Sequence, residues 1–158
     1  MSLEPGKIQI FPTTKNLKIN LYMRQITQGP NKNQILVINP NSKFGEIVVN
    51  DWRLYDSRDG GNLIARFQGP NINASVDNLQ NEGWYISSNL LFVGGSYKDS
   101  TLQVMGVFQT NNWSIVGGTG EFSKASGNLI MSIEQEATNL RVMKIAISAT
   151  YTPPKQAA

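Results

Sequence analysis

The chain has 158 residues, of which 40% are hydrophobic, and this length and composition fit one compact domain with its own core. Only 16% of the residues are charged and the formal net charge is +3, which gives weak support for a nucleic-acid partner. The chain has no cysteine and no histidine. Disulfides, thiol nucleophiles and thiolate or imidazole metal sites are therefore excluded, and any proton transfer is left to Asp, Glu, Lys or Tyr.

Alternation of apolar and polar residues recurs along the chain, whereas helical periodicity does not. In residues 16–26 every second side chain from Leu17 to Met23 is apolar, which predicts a half-buried strand. The glycine, proline and asparagines of residues 29–33 predict a turn, and a short apolar strand follows it. The further predicted strands are, in chain order, residues 34–38, 44–56, 63–76 with a bulge or bend at Gly69 and Pro70, 83–93, 100–109, 113–118, 125–136 and 139–151.

Eight or nine short strands separated by turns are typical of an all-β sandwich or barrel. We favour a barrel, because joining the first strand to the last removes exposed strand edges. A glycine-rich run at 117–120 has some likeness to a phosphate-binding loop, but a strand pattern follows it where such a loop needs a helix. We therefore predict that Gly117, Gly118 and Gly120 supply permissive backbone angles at a strand junction.

The predicted domain organisation is an N-terminal extension at residues 1–15, a β-barrel domain at 16–152 and a linker or tail at 153–158. The tail has two prolines and small residues, a composition typical of linkers. No hydrophobic signal core and no stretch of transmembrane length occur. We expect a cytoplasmic location, or an apoplastic one if a leader has been removed.

Five stretches carry a recognisable pattern: LYMRQITQGPN at 21–31, FGEIVVNDWRL at 44–54, ARFQG at 65–69, GGSYKDSTLQVMG at 94–106 and IVGGTGEFSKASG at 115–127. In this order they resemble the motifs of plant dirigent domains. The resemblance implies an eight-stranded antiparallel β-barrel of the dirigent and allene oxide cyclase-like type, with an open central pocket. It also implies a homo-oligomer, since dirigent proteins often assemble as trimers.

Well-known dirigent proteins guide the coupling of phenoxy radicals without supplying the oxidant, and the resemblance implies that paired carboxylates and an arginine assist. Asp51 falls on the second aspartate of the family's acid pair, and Arg66 on the arginine of the following strand. Tyr97 matches a tyrosine of the family's GKYNGSTL-like stretch. If the chain has dirigent activity, Asp51 is the expected acid and Arg66 the group that orients a phenol.

This sequence departs from the family at several of those positions. Asn50 replaces the first aspartate of the acid pair and Trp52 the proline that follows it. Arg24 and Gln25 stand where a His-Asp pair is usual, and serines occupy the two arginine positions after the glycine-rich run. The departures predict a site that has lost its paired carboxylates, so we expect no catalysis.

The candidate ligand-binding residues are aromatic side chains that stack on sugar or phenol rings and polar ones that bond hydroxyl groups. The aromatic residues equally fit core or cross-strand packing, and the Asp51–Arg66 pair equally fits an ion pair inside the barrel. The full set is Asp51, Trp52, Tyr55, Asp56, Arg66, Tyr97 and Trp113.

Three functions are open. The first is a non-catalytic dirigent-like domain of a plant defence lectin, binding an oligosaccharide and preceding a jacalin-related lectin domain in cis, as in chimeric grass proteins. The second is a dirigent protein that steers the radical coupling of a phenolic small molecule. The third is an oligomerisation or spacer module for the lectin domain. We expect no cofactor, no metal, no nucleic-acid partner and no membrane partner.

Overall fold

The computed structural model describes residues 13–77 and 82–155. Within them every long element is a β-strand, and the other elements are three 3₁₀ turns at 95–97, 108–110 and 120–122. Most of the predicted extension at 1–15 and the end of the predicted tail at 153–158 lie outside the described residues. The strands are β1 (Lys15–Ile26), β2 (Gln34–Ile38), β3 (Ile47–Ser57), β4 (Gly60–Asn73), β5 (Trp84–Phe92), β6 (Thr101–Val107), β7 (Asn112–Thr119), β8 (Ser126–Glu136) and β9 (Leu140–Tyr151).

Eight of these strands close into an antiparallel barrel. Each strand from β3 to β8 pairs with the next along the chain, β9 pairs with β1, and β1 pairs back to β3. β2 lies outside the ring and pairs only with β3. The predicted all-β, eight-stranded antiparallel barrel is confirmed. None of the helical turns in the described part of the chain is long and apolar enough to cross a bilayer.

Strand alternation sends every second side chain into the barrel. On β1, for example, Leu21 and Met23 are fully buried whereas the residue between them is half-buried. At one end, Phe92, Tyr97 and Phe122 pack with ring centroids 4.9 to 5.9 Å apart and close the barrel. The ends of β1, β4, β6 and β8, with the starts of the strands paired to them, surround the opposite, open end, which we call the mouth.

The turn between β3 and β4 is tighter than the sequence predicted. A loop was expected over residues 57–62, but β3 continues to Ser57 and β4 begins at Gly60. The Asp56 carboxylate accepts hydrogen bonds from the backbone and side-chain nitrogens of Asn62, both at 2.9 Å, and these bonds hold the hairpin together. Turn-forming residues thus build a hairpin here and extend the ladder into the predicted loop.

At two of the three glycines in the run at 117–120 the structure requires glycine, for a different reason at each position. Gly120 has a φ of +63°, a left-handed conformation that disfavours other residues. Gly118 lacks a positive φ, but a Cβ there would lie 2.2 Å from the Phe122 carbonyl oxygen. The prediction of permissive backbone angles therefore holds for Gly120, whereas Gly118 is required by close backbone approach.

Candidate functional site

The mouth of the barrel holds a cavity of about 520 Å³. This volume falls within the range of roughly 300 to 1,000 Å³ that is usual for small-ligand sites. Its lining comes from β1, β2, β3, β4, β5, β8 and β9 and from the 3₁₀ turn between β6 and β7. Because so many strands contribute, the position of each lining group is fixed by the closed ladder.

Three aromatic residues line the mouth, Trp52, Trp84 and Phe108, and the buried rings of Phe67 and Trp113 pack behind them. Trp52 lies 6.1 Å from the ring of Phe67 in a stacked arrangement, and 6.0 Å from Phe108 edge to face. Phe108 in turn stacks on Trp113 at 5.4 Å. Trp84, half-buried at the start of β5, lines the cavity as well. Such rigid apolar surfaces suit the faces of sugar or phenol rings.

Side-chain amides supply most of the polar groups of the mouth. The Gln34 Oε1 accepts hydrogen bonds from the Trp52 indole N–H at 3.1 Å and from the Gln25 amide at 2.8 Å. Asn71 is buried, and its Oδ1 has no hydrogen-bond partner among the described residues. A buried acceptor without a donor is costly, so a ligand hydroxyl at Asn71 would recover a hydrogen bond.

Ionisable groups are scarce in the mouth. Arg141 is the one charged residue among the described lining residues, and its guanidinium pairs with Glu136. No carboxylate lines the cavity within residues 13–77 and 82–155. Nor does the described part of the chain contain a group of three or more His, Cys, Asp or Glu residues placed to hold a metal ion. The amide side chains of the mouth can form hydrogen bonds with neutral groups, and its aromatic side chains can stack on rings.

Asp51 and Arg66 form the ion pair that the sequence suggested, but on the outside of the barrel. Each adjoins a buried, inward-facing aromatic residue, Trp52 or Phe67, so strand alternation turns both charges outward. The Arg66 guanidinium binds the carboxylate through both Nε, at 2.9 Å from Oδ1, and a terminal nitrogen. The hydrogen bond from Arg66 lowers the pKa of Asp51, and Asp51 raises the pKa of Arg66.

The other predicted residues are spread over the molecule. Tyr55 faces outward, with the Arg24 guanidinium 5.7 Å from its ring centroid. Asp56 lies in the β3–β4 hairpin, where the Asn62 side chain and backbone lower its pKa. Tyr97 packs at the closed end, and Trp113 is buried in the interior with its indole N–H donating to the Phe108 carbonyl at 3.2 Å. Of the predicted set, Trp52 alone lines the mouth.

Several mouth residues were not predicted, although some carried a signal. Asn71 is four residues from Phe67 and shares its inward side, so strand parity alone places it inside. Gln34 pairs opposite Asn50, which requires the register of β2 and β3 to be known. Gln109 belongs to the 3₁₀ turn and Asn111 is its left-handed cap. No sequence pattern predicts that residues of such a turn line a cavity.

Comparisons with known proteins agree with this architecture. A family model described as Dirigent-like protein matches residues 16–150. The pterocarpan synthase dirigent protein GePTS1 has a similar structure, with a TM-score of 0.80 at 20% sequence identity over 96% of this chain and 92% of that chain. The pterocarpan synthase dirigent protein PsPTS1 aligns with a TM-score of 0.73 at 22% identity, over 89% of this chain and 97% of that chain. A search of curated proteins found no match.

Proposed function

This chain belongs to the dirigent-like protein family. From that premise we propose that it is a non-catalytic domain that binds a neutral oligosaccharide in the mouth of its barrel. The observation that carries the proposal is the make-up of the mouth, in which amides and aromatic rings occur together without a carboxylate among the described lining residues. Amides donate to and accept from sugar hydroxyls, and indole rings cover the apolar sugar face.

A glycan array followed by calorimetry on this domain tests the proposal. We expect saturable binding of a neutral oligosaccharide with a Kd at or below about 1 mM, equivalent to about −4 kcal/mol. Trp84→Leu removes a ring that lines the mouth and should weaken binding about tenfold or more, because an aromatic contact and its buried area are lost.

The matched control is Tyr85→Leu, which changes the adjacent aromatic residue on the opposite face of β5. This variant should bind the sugar as the unmodified chain does. Absence of binding across plant and microbial glycans would refute the proposal, as would equal losses in the two variants.

Steering of phenoxy-radical coupling is the rival function, with Asp51 as the acid and Arg66 orienting a phenol. The placement of these residues argues against it, because the pair faces away from the mouth and the hydrogen bond from Arg66 lowers the pKa of Asp51, which makes it a poorer proton donor. With coniferyl alcohol and an external oxidase we expect a racemic product. An enantiomeric excess that is lost in Asp51→Asn would support the rival function instead.

A self-associating module is a second candidate function, and an apolar strip on the outer face of the barrel favours it. The strip crosses five strands near the mouth, and two of its members, Ile38 and Val107, are 50% and 41% exposed. Contiguous exposed apolar surface of this kind is uncommon on monomers. Its members, in cross-strand register, are Ile38, Ile47, Ile72, Tyr85 and Val107.

Sedimentation analysis at micromolar concentration tests self-association through this strip. We expect a homo-oligomer, which Val107→Lys should dissociate because the change buries a charge in the contact. Val116→Lys is the matched control, since Val116 is exposed on β7 outside the strip. A monomeric unmodified chain, or an equal effect of the two lysines, would contradict the assignment.

We further propose that the domain works beside a jacalin-related lectin domain in cis within a plant defence protein. The support is the set of departures from the dirigent motifs, with Asn50 and Trp52 in place of the aspartate and proline. Sequencing the full transcript tests this. A reading frame that continues past Ala158 into a lectin domain is expected, and a stop codon directly after Ala158 would refute the fusion.

A further inference from the structure

Three arginines lie side by side across three neighbouring strands on the outer face of the barrel. The register pairs Arg24 of β1 with Arg53 of β3, and Arg53 with Arg66 of β4. Like charges directly opposite each other in adjacent strands destabilise a sheet. Folding alone therefore gives no reason to place these residues together.

Only one of the three charges is compensated by a carboxylate within the described residues. Arg66 is bound by Asp51 through two hydrogen bonds. Arg24 and Arg53 have no carboxylate within 4.0 Å in the described ranges 13–77 and 82–155. Arg24 donates to the Arg58 carbonyl at 3.0 Å, and its Nε is buried with no partner among those same residues.

These two arginines border an open groove of about 610 Å³ between the loop after β1 and the outer face of β3. Lys32 lines it from the loop, so three cations face a single carboxylate, Asp51, which Arg66 already neutralises. Gln34 borders both the groove and the mouth. The two cavities otherwise use mainly opposite sides of β3, because Asp51, Arg53 and Tyr55 line the groove from the outward side whereas Val48 and Trp52 line the mouth from the inward side.

The loop that walls the groove is held in place by Asn33. Its Oδ1 accepts from the Ile26 backbone N–H and its Nδ2 donates to the Arg24 carbonyl, both at 2.9 Å. Its own carbonyl accepts from the Asp51 N–H at 2.8 Å. The end of the loop is thereby tied both to the end of β1 and to β3. Arg24, Lys32 and Arg53 are thus displayed on a backbone that is already ordered, which favours binding.

We propose that this groove binds the carboxylate of a sugar acid, that is, a uronate unit of an acidic oligosaccharide. A guanidinium offers planar, paired donors that match a carboxylate, and neither Arg24 nor Arg53 has a carboxylate partner within the described residues. The Tyr55 hydroxyl and the Asn31 amide, which also line the groove, supply partners for ring hydroxyls.

Calorimetric titration with trigalacturonate, at low salt and at about 0.15 M salt, tests the site. We expect binding that weakens as salt rises, and little or none by the methyl ester of the same trisaccharide. Arg24→Gln and Arg53→Gln should each reduce the affinity about tenfold or more, because each removes charge-assisted hydrogen bonds. Melting temperature checks the fold, and Arg53→Gln should leave it unchanged or raised, since a like-charge contact is relieved.

Lys18→Gln is the matched control, because it removes a positive charge from the exposed side of the same strand, six positions before Arg24. Its affinity should change less than about twofold, as the contact is screened at that distance. Equal losses in Lys18→Gln, equal binding of the ester, or tighter binding of galactose 1-phosphate than of the uronate would each overturn the assignment. Trp84→Leu should leave this titration unchanged, which separates the groove from the mouth.

Discussion

At the scale of single residues, position 50 holds a neutral amide where the family motif has an aspartate. Asn50 is buried, and its amide nitrogen donates to the Phe67 carbonyl at 3.0 Å. Asn50→Asp would place a carboxylate against that carbonyl oxygen, and burial would raise the pKa of the new acid. With a raised folded pKa, stability is lost as pH rises from the unfolded pKa through the folded pKa, so the loss should grow over that range, to about 2 kcal/mol or more near neutrality.

Denaturant unfolding at several pH values measures this loss. Asn89→Asp, at an exposed position of β5, is the control and should change stability by less than about 0.5 kcal/mol. A pH-independent loss in Asn50→Asp would trace to the missing amide donor to the Phe67 carbonyl, since the two side chains have the same shape, and the charge argument would be wrong.

Asp51, the next residue, should respond to pH in the opposite direction. Its pKa is lowered chiefly by the hydrogen bond from Arg66, so its contribution is present above the unfolded pKa and lost as pH falls through the folded pKa. Since both side chains are more than a third exposed, Asp51→Asn should cost less than about 1 kcal/mol at neutral pH.

Comparison of the free energies of unfolding at pH 7 and at about pH 2 checks this, because the contribution of Asp51 is lost as pH falls through its lowered folded pKa. The difference between the unmodified chain and Asp51→Asn should be smaller at the lower pH. A difference of the same size at both pH values would show that the ion pair is not its origin.

At the scale of elements, the junction after β7 depends on one glycine more than on its neighbour. Gly118→Ala would set a Cβ 2.2 Å from the Phe122 carbonyl oxygen, a backbone atom that moves only if the 3₁₀ turn moves. We expect a loss of about 1 to 3 kcal/mol from the displaced backbone. At Gly117 a Cβ would approach the end of the flexible Gln103 side chain, at 3.0 Å.

Gly117→Ala is therefore the matched control and should cost well under about 1 kcal/mol. The melting temperatures of the two variants, measured by thermal unfolding, give this comparison. Equal melting temperatures would show that the turn shifts freely and that close packing at Gly118 is unimportant.

Elements were more predictable from the sequence than the site was. Period-two alternation marks strands such as β1 and β9 because the buried residues of each lie mainly on one side. Alternation puts the neighbours Asp51 and Trp52 on opposite faces, but their positions in the family motif led us to assign both to one site. β2 was predicted as a strand with the bounds it has, but its sequence pattern could not show that it pairs outside the closed ring.

At the scale of the whole molecule, closure between β1 and β3 assembles both surfaces for which we propose binding. It joins strands distant in sequence through Tyr22, Met23 and Arg24, and in doing so brings Arg24 opposite Arg53 on the outside. It also completes the ring around the mouth, where amide and aromatic groups from both halves of the chain meet. Neither surface is visible in any single motif, because each is assembled by the register of the closed ladder.

The most direct test of the central claim is a crystal structure of the chain soaked with neutral disaccharides. We predict a sugar ring in the mouth, against Trp84 and with a hydroxyl within hydrogen-bonding distance of the Asn71 Oδ1. A mouth that stays free of sugar while calorimetry shows binding, or one filled by the protein's own side chains, would contradict the claim.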